Sequence, residues 1–258
     1  MIKKILKHFI LHLWAYFREV YTTKYEKDMY SMQELNVLET HKATFGPYKN
    51  CNKGKDVVII ATGPSLNKYK PLENVINIGL NKAFLRENIK LDYIFMQDYL
   101  AVKGYIEQIT EPKYSDIVKF YGVTSELKFG NLFDTTPVIM PESVIERHGA
   151  KKYFLYSRYL RNNKRFNCDI DKNWIQDCYS VAFSAMQFAL FTNPKRIYIV
   201  GCDCSSGYFD GSKGNNLTAL TRPWAELKRF AQIYYPETEI ISVNPVGLRG
   251  LFKDLDQE

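Results

Sequence analysis

Residues 56–66 read Asp-Val-Val-Ile-Ile-Ala-Thr-Gly-Pro-Ser-Leu. Residues 57–61 are apolar and uncharged, and four of the five are β-branched, which predicts a strand buried on both faces of a parallel sheet. Gly63 permits a tight turn and a close backbone approach, and Pro64 suits the first position of a helix. A strand that turns directly into a helix leaves backbone N–H groups that attract anions. An ordinary strand–turn–helix corner would look the same, but we favour a phosphate or nucleotide cradle.

Strand and helix signals alternate along the rest of the chain. Apolar segments predict further strands at 75–79, 93–96, 117–121, 137–140, 196–201 and 239–243. Helices are predicted at 81–87, 99–109, 150–160, 180–191 and 223–234. Ser180 suits the N-cap of the fourth of these helices, which is apolar nearly all round and should therefore be buried. The alternation predicts an α/β fold, a single Rossmann-like domain with a mainly parallel sheet flanked by helices.

The chain divides by composition into a catalytic domain at 53–258 and an N-terminal amphipathic helix with a connector at 1–52. Residues 1–20 place apolar side chains on one helical face and lysines on or near the other. This run is too short and too charged to span a bilayer, and no signal-peptide cleavage site follows it. We expect either an in-plane helix on an anionic inner leaflet or a helix docked on its own domain or a partner subunit. A homo-oligomer is left open.

Charge and cysteine content narrow the partners and the compartment. The net charge of +7 suggests an acidic partner. No basic stretch interleaved with aromatic residues resembles a nucleic-acid-binding motif, so no nucleic acid is expected. Five cysteines without a CxxC pair or zinc spacing indicate a reduced, cytoplasmic protein. Together with the basic segment at 1–20, this predicts a protein that is peripheral on the inner face of the cytoplasmic membrane. Asp169-Ile-Asp171 could hold a divalent cation against a diphosphate, but it lies in a polar segment, and we expect no metal.

Four features together resemble a known group of proteins. They are Ile-Ile-Ala-Thr-Gly-Pro-Ser-Leu at 59–66, Asn81 after the second strand, Ser180 at the start of the buried helix, and Arg-Ile-Tyr-Ile-Val-Gly-Cys-Asp at 196–203. The chain resembles the bacterial family-42 sialyltransferases and the wider group of flagellin-modifying motility accessory factors and archaeal 6-hydroxymethylpterin diphosphokinases. The match covers roughly residues 56–250, and its specific parts are the turn at Gly63 and residues 195–209.

The resemblance implies a metal-independent, sialyltransferase-like glycosyltransferase that uses a CMP-activated sugar and no cofactor. It implies donor binding by Thr62, Gly63, Pro64, Ser65, Asn81, Gln97, Asp98, Ser180, Gly201, Asp203 and Cys204. Of two tyrosines that stabilise the departing phosphate, Tyr208 matches the second approximately, whereas Ser205 stands at the first. The family's catalytic histidine has no counterpart at 217–224, and histidine occurs only at His8, His12, His41 and His148.

Without that histidine, the base must be sought elsewhere. Asp203 follows a strand directly and suits ribose hydroxyls, although it could instead cap a helical turn. Asp210 is assigned as the base, although Asp-Gly is also a turn sequence. A distant carboxylate or His148 could also fold into the cleft. The negative charge on the leaving phosphate could be stabilised by the backbone N–H groups at 62–65, by Tyr208, and by Lys213 or Arg222.

The sequence therefore leaves three functions open. The first is a glycosyltransferase that moves a sugar from a nucleotide donor, with a CMP-sugar favoured, to a lipid-linked bacterial surface glycan such as lipo-oligosaccharide or capsule. The second is a 6-hydroxymethylpterin diphosphokinase-like enzyme, which would need ATP with magnesium and could use Asp98 and Asp203 as carboxylates. The third is a nucleotide-binding protein without turnover.

Overall fold

A computed structural model describes residues 34–124, 140–156, 166–176 and 178–257. Its strands are β1 Asp56–Ile60, β2 Val75–Leu80, β3 Tyr93–Met96, β4 Val118–Thr124, β5 Lys151–Tyr156, β6 Ile175–Gln176, β7 Arg196–Val200, β8 Glu239–Val243 and β9 Lys253–Leu255. The α-helices are α1 at residues 34–45, α2 Tyr99–Val102, α3 Glu142–Arg147, α4 Val181–Phe191 and α5 Thr221–Tyr234. Short 3₁₀ helices span Gly46–Tyr48, Pro64–Lys68, Asn81–Leu85, Ile106–Thr110, Pro112–Tyr114 and Thr218–Leu220.

All nine described strands belong to one parallel sheet, in the order β6-β5-β4-β3-β2-β1-β7-β8-β9. The predicted α/β class with a mainly parallel sheet is confirmed. The sheet grows outward from β1 to β6 on one side and from β7 to β9 on the other. The order in which strands are added to the sheet therefore changes direction between the neighbours β1 and β7. Open α/β sheets bind ligands at the carboxyl ends of the strands at such a switch point.

The core lies on both faces of β1. Val57 and Ile59 pack in the cluster that contains α4, whereas Val58 and Ile60 pack in the cluster on the opposite face. Every residue of α4 is buried, because the sheet covers one side of the helix and α5 the other. The ring centroids of Phe183 in α4 and Trp224 in α5 are 4.8 Å apart. The buried helix and its Ser180 N-cap, which accepts a bond from the Ala182 N–H at 3.3 Å, are confirmed.

Several predicted elements differ from the structure. Residues 151–156 form strand β5 and not part of a helix, because pairing with β4 and burial of Tyr153 and Leu155 favour the β-rich aromatic sequence as a strand. The helix predicted at 99–109 is divided into α2 and the 3₁₀ helix Ile106–Thr110. Strand β9 was not predicted. Residues 137–139 of the strand predicted at 137–140 lie outside the described residues, and Met140 is not in a strand.

Residues 1–20 also lie outside the described residues, so the membrane helix and the division at residue 52 stay predictions. Helix α1 packs on the sheet through Val37, His41 and Phe45, which are at most 1% exposed. None of the helices in the described ranges has the length and apolar character needed to cross a bilayer.

His41 links α1 to the far edge of the sheet. Its Nδ1 lies 2.9 Å from the Ile170 carbonyl oxygen and 2.8 Å from that of Asn173, while Nε2 accepts the Phe154 N–H at 2.7 Å. Carbonyl oxygens only accept, so Nδ1 carries the proton and the ring is neutral. Burial lowers the pKa of His41 from 6.5 to about 4.

We predict that His41 makes the fold sensitive to mild acid. The unfolded chain protonates His41 below pH 6.5, whereas the folded chain does so only near pH 4. The contribution of neutral His41 to the free energy of unfolding is therefore complete above pH 6.5 and is lost as pH falls toward 4. Urea unfolding should show about 2 kcal/mol of this loss between pH 7 and pH 5.

The control is His41→Gln, which removes this titration; any change in packing or hydrogen bonding affects its stability at both pH values and cancels in the difference between them. Its free energy of unfolding should change less between pH 7 and pH 5 than that of the wild type, and equal changes in the two proteins would contradict the assignment. Other titrating groups contribute to both proteins and cancel in the comparison.

Candidate active site

The loops that follow β1 and β7 meet at the switch point. Ala61 N–H donates to the Val200 carbonyl oxygen and Gly63 N–H to that of Gly201, both at 2.9 Å. The expected proximity of the Gly63 turn to the carboxyl end of β7 is confirmed by these bonds and by the pairing of Ile60 with Val200.

Gly63 is required by close approach and not by its backbone angles, because its φ of −68° and ψ of 163° suit any residue. A Cβ atom there would lie 2.5 Å from the Gly201 carbonyl oxygen and 2.7 Å from Asp203 Oδ2. Gly201 does need its conformational freedom, since its φ is +68° and its own Cβ would lie 2.6 Å from the Ala61 carbonyl oxygen.

The carboxylate of Asp203 occupies the anion position at this turn. Its Oδ2 accepts the Ser65 N–H at 2.8 Å, and its Oδ1 accepts the Ser65 hydroxyl. Asp203 is only 5% exposed. Since Pro64 has no N–H and the Gly63 N–H bonds Gly201, protein oxygens already satisfy the donors at 63 and 65. This corrects the expectation that these donors face a phosphate, and a ribose hydroxyl would have to share Asp203 with Ser65.

A second group of polar side chains borders the same sheet edge. Asn81 follows β2 with a φ of +48°, and Gln97 follows β3, where its Oε1 accepts the Ser184 hydroxyl at 3.1 Å. Asp98 is exposed and caps α2 through the Ala101 N–H at 3.3 Å. Together with Ser180 at the N-terminus of α4, these groups form a polar edge beside the switch point. Ser184 was not predicted, although a serine within a buried and nearly all-apolar helix was its signal.

Cys204 lies elsewhere than predicted. Its side chain is 6% exposed and belongs to the core cluster that contains α4. Burial raises the pKa of the Cys204 thiol to about 11 and that of Cys202 well above its usual value. Both cysteines are therefore packing residues, and Cys204 is removed from the donor-binding set.

Residues 207–212, here called loop 207–212, fold over the end of β1. Phe209 N–H donates to the Thr62 carbonyl oxygen at 2.9 Å, and the Asn67 side-chain amide donates to the Phe209 carbonyl oxygen at 2.7 Å. The exposed Pro64 borders the loop, because a Cβ on Gly207 would lie 3.8 Å from Pro64 Cγ.

The loop carries Asp210 onto a lysine that was not predicted. Lys82 Nζ lies 2.7 Å from Asp210 Oδ2 and donates to the Ser212 hydroxyl at 2.7 Å. It also lies 4.0 Å from the centre of the Tyr208 ring. The bond from Lys82, with those from Ser212, lowers the pKa of Asp210 to about 2. A general base works best with a pKa near the operating pH, so this geometry opposes the base role predicted for Asp210.

The other candidate groups lie away from the switch point. His148 bonds the Tyr121 hydroxyl at 2.8 Å and Glu107 at 3.2 Å. Tyr121 is in β4, three strands from β1 and so about 14 Å across the sheet. Lys213 is exposed, and Arg222, whose side chain is 81% exposed, pairs with Glu226 in its own helix.

The acidic pair Asp169 and Asp171 precedes β6 and therefore lies at the amino edge of the sheet, opposite the polar edge. Asp169 pairs with Lys49 at 3.3 Å. Within the described ranges, no group of three or more histidine, cysteine or acidic residues is placed to hold a metal ion. The geometry thus gives Asp169 and Asp171 no part in binding a diphosphate at the switch point.

Comparison with known proteins gives similarity of structure only. No family model and no curated protein matches the chain. The MAf glycosyltransferase from Magnetospirillum magneticum AMB-1 matches over 86% of this chain and 38% of its own, with 14% identity and a TM-score of 0.47. The sialyltransferase CstII from Campylobacter jejuni matches over 78% of this chain and 85% of its own, with 13% identity and a TM-score of 0.43. The chain is similar in structure to both proteins.

We predict that Gly63→Ala destabilises the junction of the two loops. The new methyl group would collide with the Gly201 carbonyl oxygen and the Asp203 carboxylate, and overpacking of this kind costs about 1–3 kcal/mol. Urea unfolding measures the loss. Gly104→Ala is the matched control, because nothing lies within 4 Å of a Cβ at Gly104. Equal stability of the two variants would show that the close approach does not constrain residue 63.

Proposed function

We propose that this protein is a glycosyltransferase that takes a sugar from a nucleotide donor, with a CMP-sugar favoured. The observation that carries the proposal is the switch point between β1 and β7, where two glycine-containing loops meet beside a row of polar side chains. Doubly wound parallel sheets bind nucleotides at this position. The sequence resemblance to sialyltransferase-like proteins narrows the donor class.

The polar edge supplies suitable groups for a nucleotide. Amide and hydroxyl side chains of Asn81, Gln97 and Ser180 can donate to and accept from the base and ribose. Tyr208 belongs to loop 207–212 and lies against Lys82, and we assign its hydroxyl to the stabilisation of the departing phosphate. Because Asp203 is already bonded to Ser65, we assign it to holding the two loops together and not to the donor itself.

The acceptor we propose is a lipid-linked bacterial surface glycan such as lipo-oligosaccharide or capsule, reached from the inner face of the cytoplasmic membrane. Support comes from the basic, amphipathic sequence of residues 1–20, which suits an anionic leaflet. The diphosphokinase alternative draws less support, because one of its two predicted carboxylates, Asp203, is engaged by Ser65.

Ligand-dependent thermal unfolding tests the donor class. With CMP at a hundred times its Kd, the folded protein should gain about 2.7 kcal/mol, which raises Tm by several degrees. UDP, GDP and ATP, each with and without magnesium, are the comparisons, and magnesium alone is the control. If ATP together with magnesium were the only combination that stabilised the protein, the result would favour the kinase instead. Stabilisation by CMP without CMP release from any CMP-sugar would favour the protein without turnover.

Membrane association is tested by deleting residues 1–20. The full chain should sediment with anionic vesicles at low salt, and the deletion should release it, because the lysines and apolar face in this segment are removed together. Vesicles of neutral phosphatidylcholine are the control. Undiminished binding of the shortened chain to anionic vesicles would remove this part of the proposal.

A further inference from the structure

Lys82 is a cation held almost out of water at the mouth of the site. Its side chain is only 10% exposed, and it lies on the 3₁₀ helix that follows β2. Burying an ammonium group is costly unless it is paired and hydrogen-bonded. Here the Asp210 carboxylate and the Ser212 hydroxyl satisfy it, and the Tyr208 ring covers it at 4.0 Å.

A second cation approaches the same loop. The guanidinium carbon of Arg86 and Lys82 Nζ each lie 6.0 Å from the centre of the Phe209 ring. The Nε atom of Arg86 is buried and has no hydrogen-bond partner among the described residues. Lys82 thus bonds the Asp210 carboxylate, and Arg86, whose Nε has no acceptor in the described ranges, borders the same loop through Phe209, so the loop carries a cationic donor that a further anion could use.

Asp210 is held less firmly than the lysine it pairs with. Its side chain is 39% exposed, so it can return to water at small cost. It lies in loop 207–212 between Gly207 and Gly211, whose φ values are +89° and +78°. Glycines tolerate the backbone changes that a loop movement needs. The buried partner is therefore fixed, and the exposed partner is the one that can leave.

We propose that Lys82 binds the phosphate of the donor, and that the Asp210 carboxylate occupies this place until the phosphate displaces it. The proposal rests on the proposed function and assigns the donor's anion to a particular residue of that site. A phosphate offers more acceptor oxygens and more charge than a carboxylate, and it can accept from the Ser212 hydroxyl as well as from Lys82, which lie 2.7 Å apart. Asp210 is then an internal competitor of the donor.

Calorimetric titration of the full chain with inorganic pyrophosphate and with CMP tests this exchange. Lys82→Gln should weaken binding of both ligands by about tenfold or more, since a charged hydrogen bond is lost. Lys82→Arg keeps the charge and should restore most of the affinity. Asp210→Asn should bind about fivefold tighter than the wild type, because it removes the competing charge while its amide oxygen can still accept from Ser212.

Glu87→Gln is the matched control for the change in charge, because Glu87 is exposed and pairs with Lys113 instead. It should bind like the wild type, and thermal unfolding should verify that each variant is folded. The inference is overturned if Asp210→Asn binds no tighter than Glu87→Gln, or if folded Lys82→Gln binds like the wild type.

The two proposals fail in different ways. Pyrophosphate binding that depends on Lys82, with no nucleotide binding, would support the anion site and count against the glycosyltransferase. Nucleotide binding that is the same in all variants would leave the proposed function standing and remove the role of Lys82. Binding of neither ligand to any variant would overturn both.

Discussion

The contact between Asp203 and the turn at Gly63 organises the candidate site. A helix start that follows a strand favours a negative group, and here the chain supplies one from the end of β7. The absence of a Cβ at Gly63 lets the carboxylate and the Gly201 carbonyl oxygen approach. The innermost anion position is thus filled by the protein, and a ligand at the switch point must bind in the next layer outward, where Asn81, Gln97 and Lys82 lie.

Pairing explains how that outer layer carries charge without destabilising the fold. A buried ion pair often contributes little net stability, because desolvation offsets its attraction. The pair of Lys82 and Asp210 is asymmetric, with one side chain 10% exposed and the other 39%. Such a pair keeps a cation desolvated and ready for a ligand while its partner remains in contact with water. The pair of Lys82 and Asp210 therefore matters more for the charge of the candidate site than for the stability of the fold.

The sequence predicted the features that depend on local pattern and missed those that depend on distant contacts. The β-branched run of β1 and the apolar faces of α4 are visible in single segments, and both were predicted correctly. Strand β5 was missed because its aromatic and lysine residues suit a helix as well, until pairing with β4 decides. Asp203 and Lys82 reach partners 138 and 128 residues away in the chain, so no local signal could show either contact.

The change in the role of Asp210 follows from its electrostatics. A carboxylate with a pKa of about 2 has little tendency to take a proton at neutral pH, so it is a weak base. The same low pKa keeps it charged across the physiological range, which suits a group that must neutralise Lys82 whenever no ligand is present. Exchange with an incoming phosphate would then depend on the charge and concentration of the ligand, and hardly on pH between 5 and 8 apart from the ionisation of the phosphate itself. In the proposed glycosyltransferase, Asp210 would act on the donor through Lys82, as its competitor, and the acceptor hydroxyl would need a different group to take its proton.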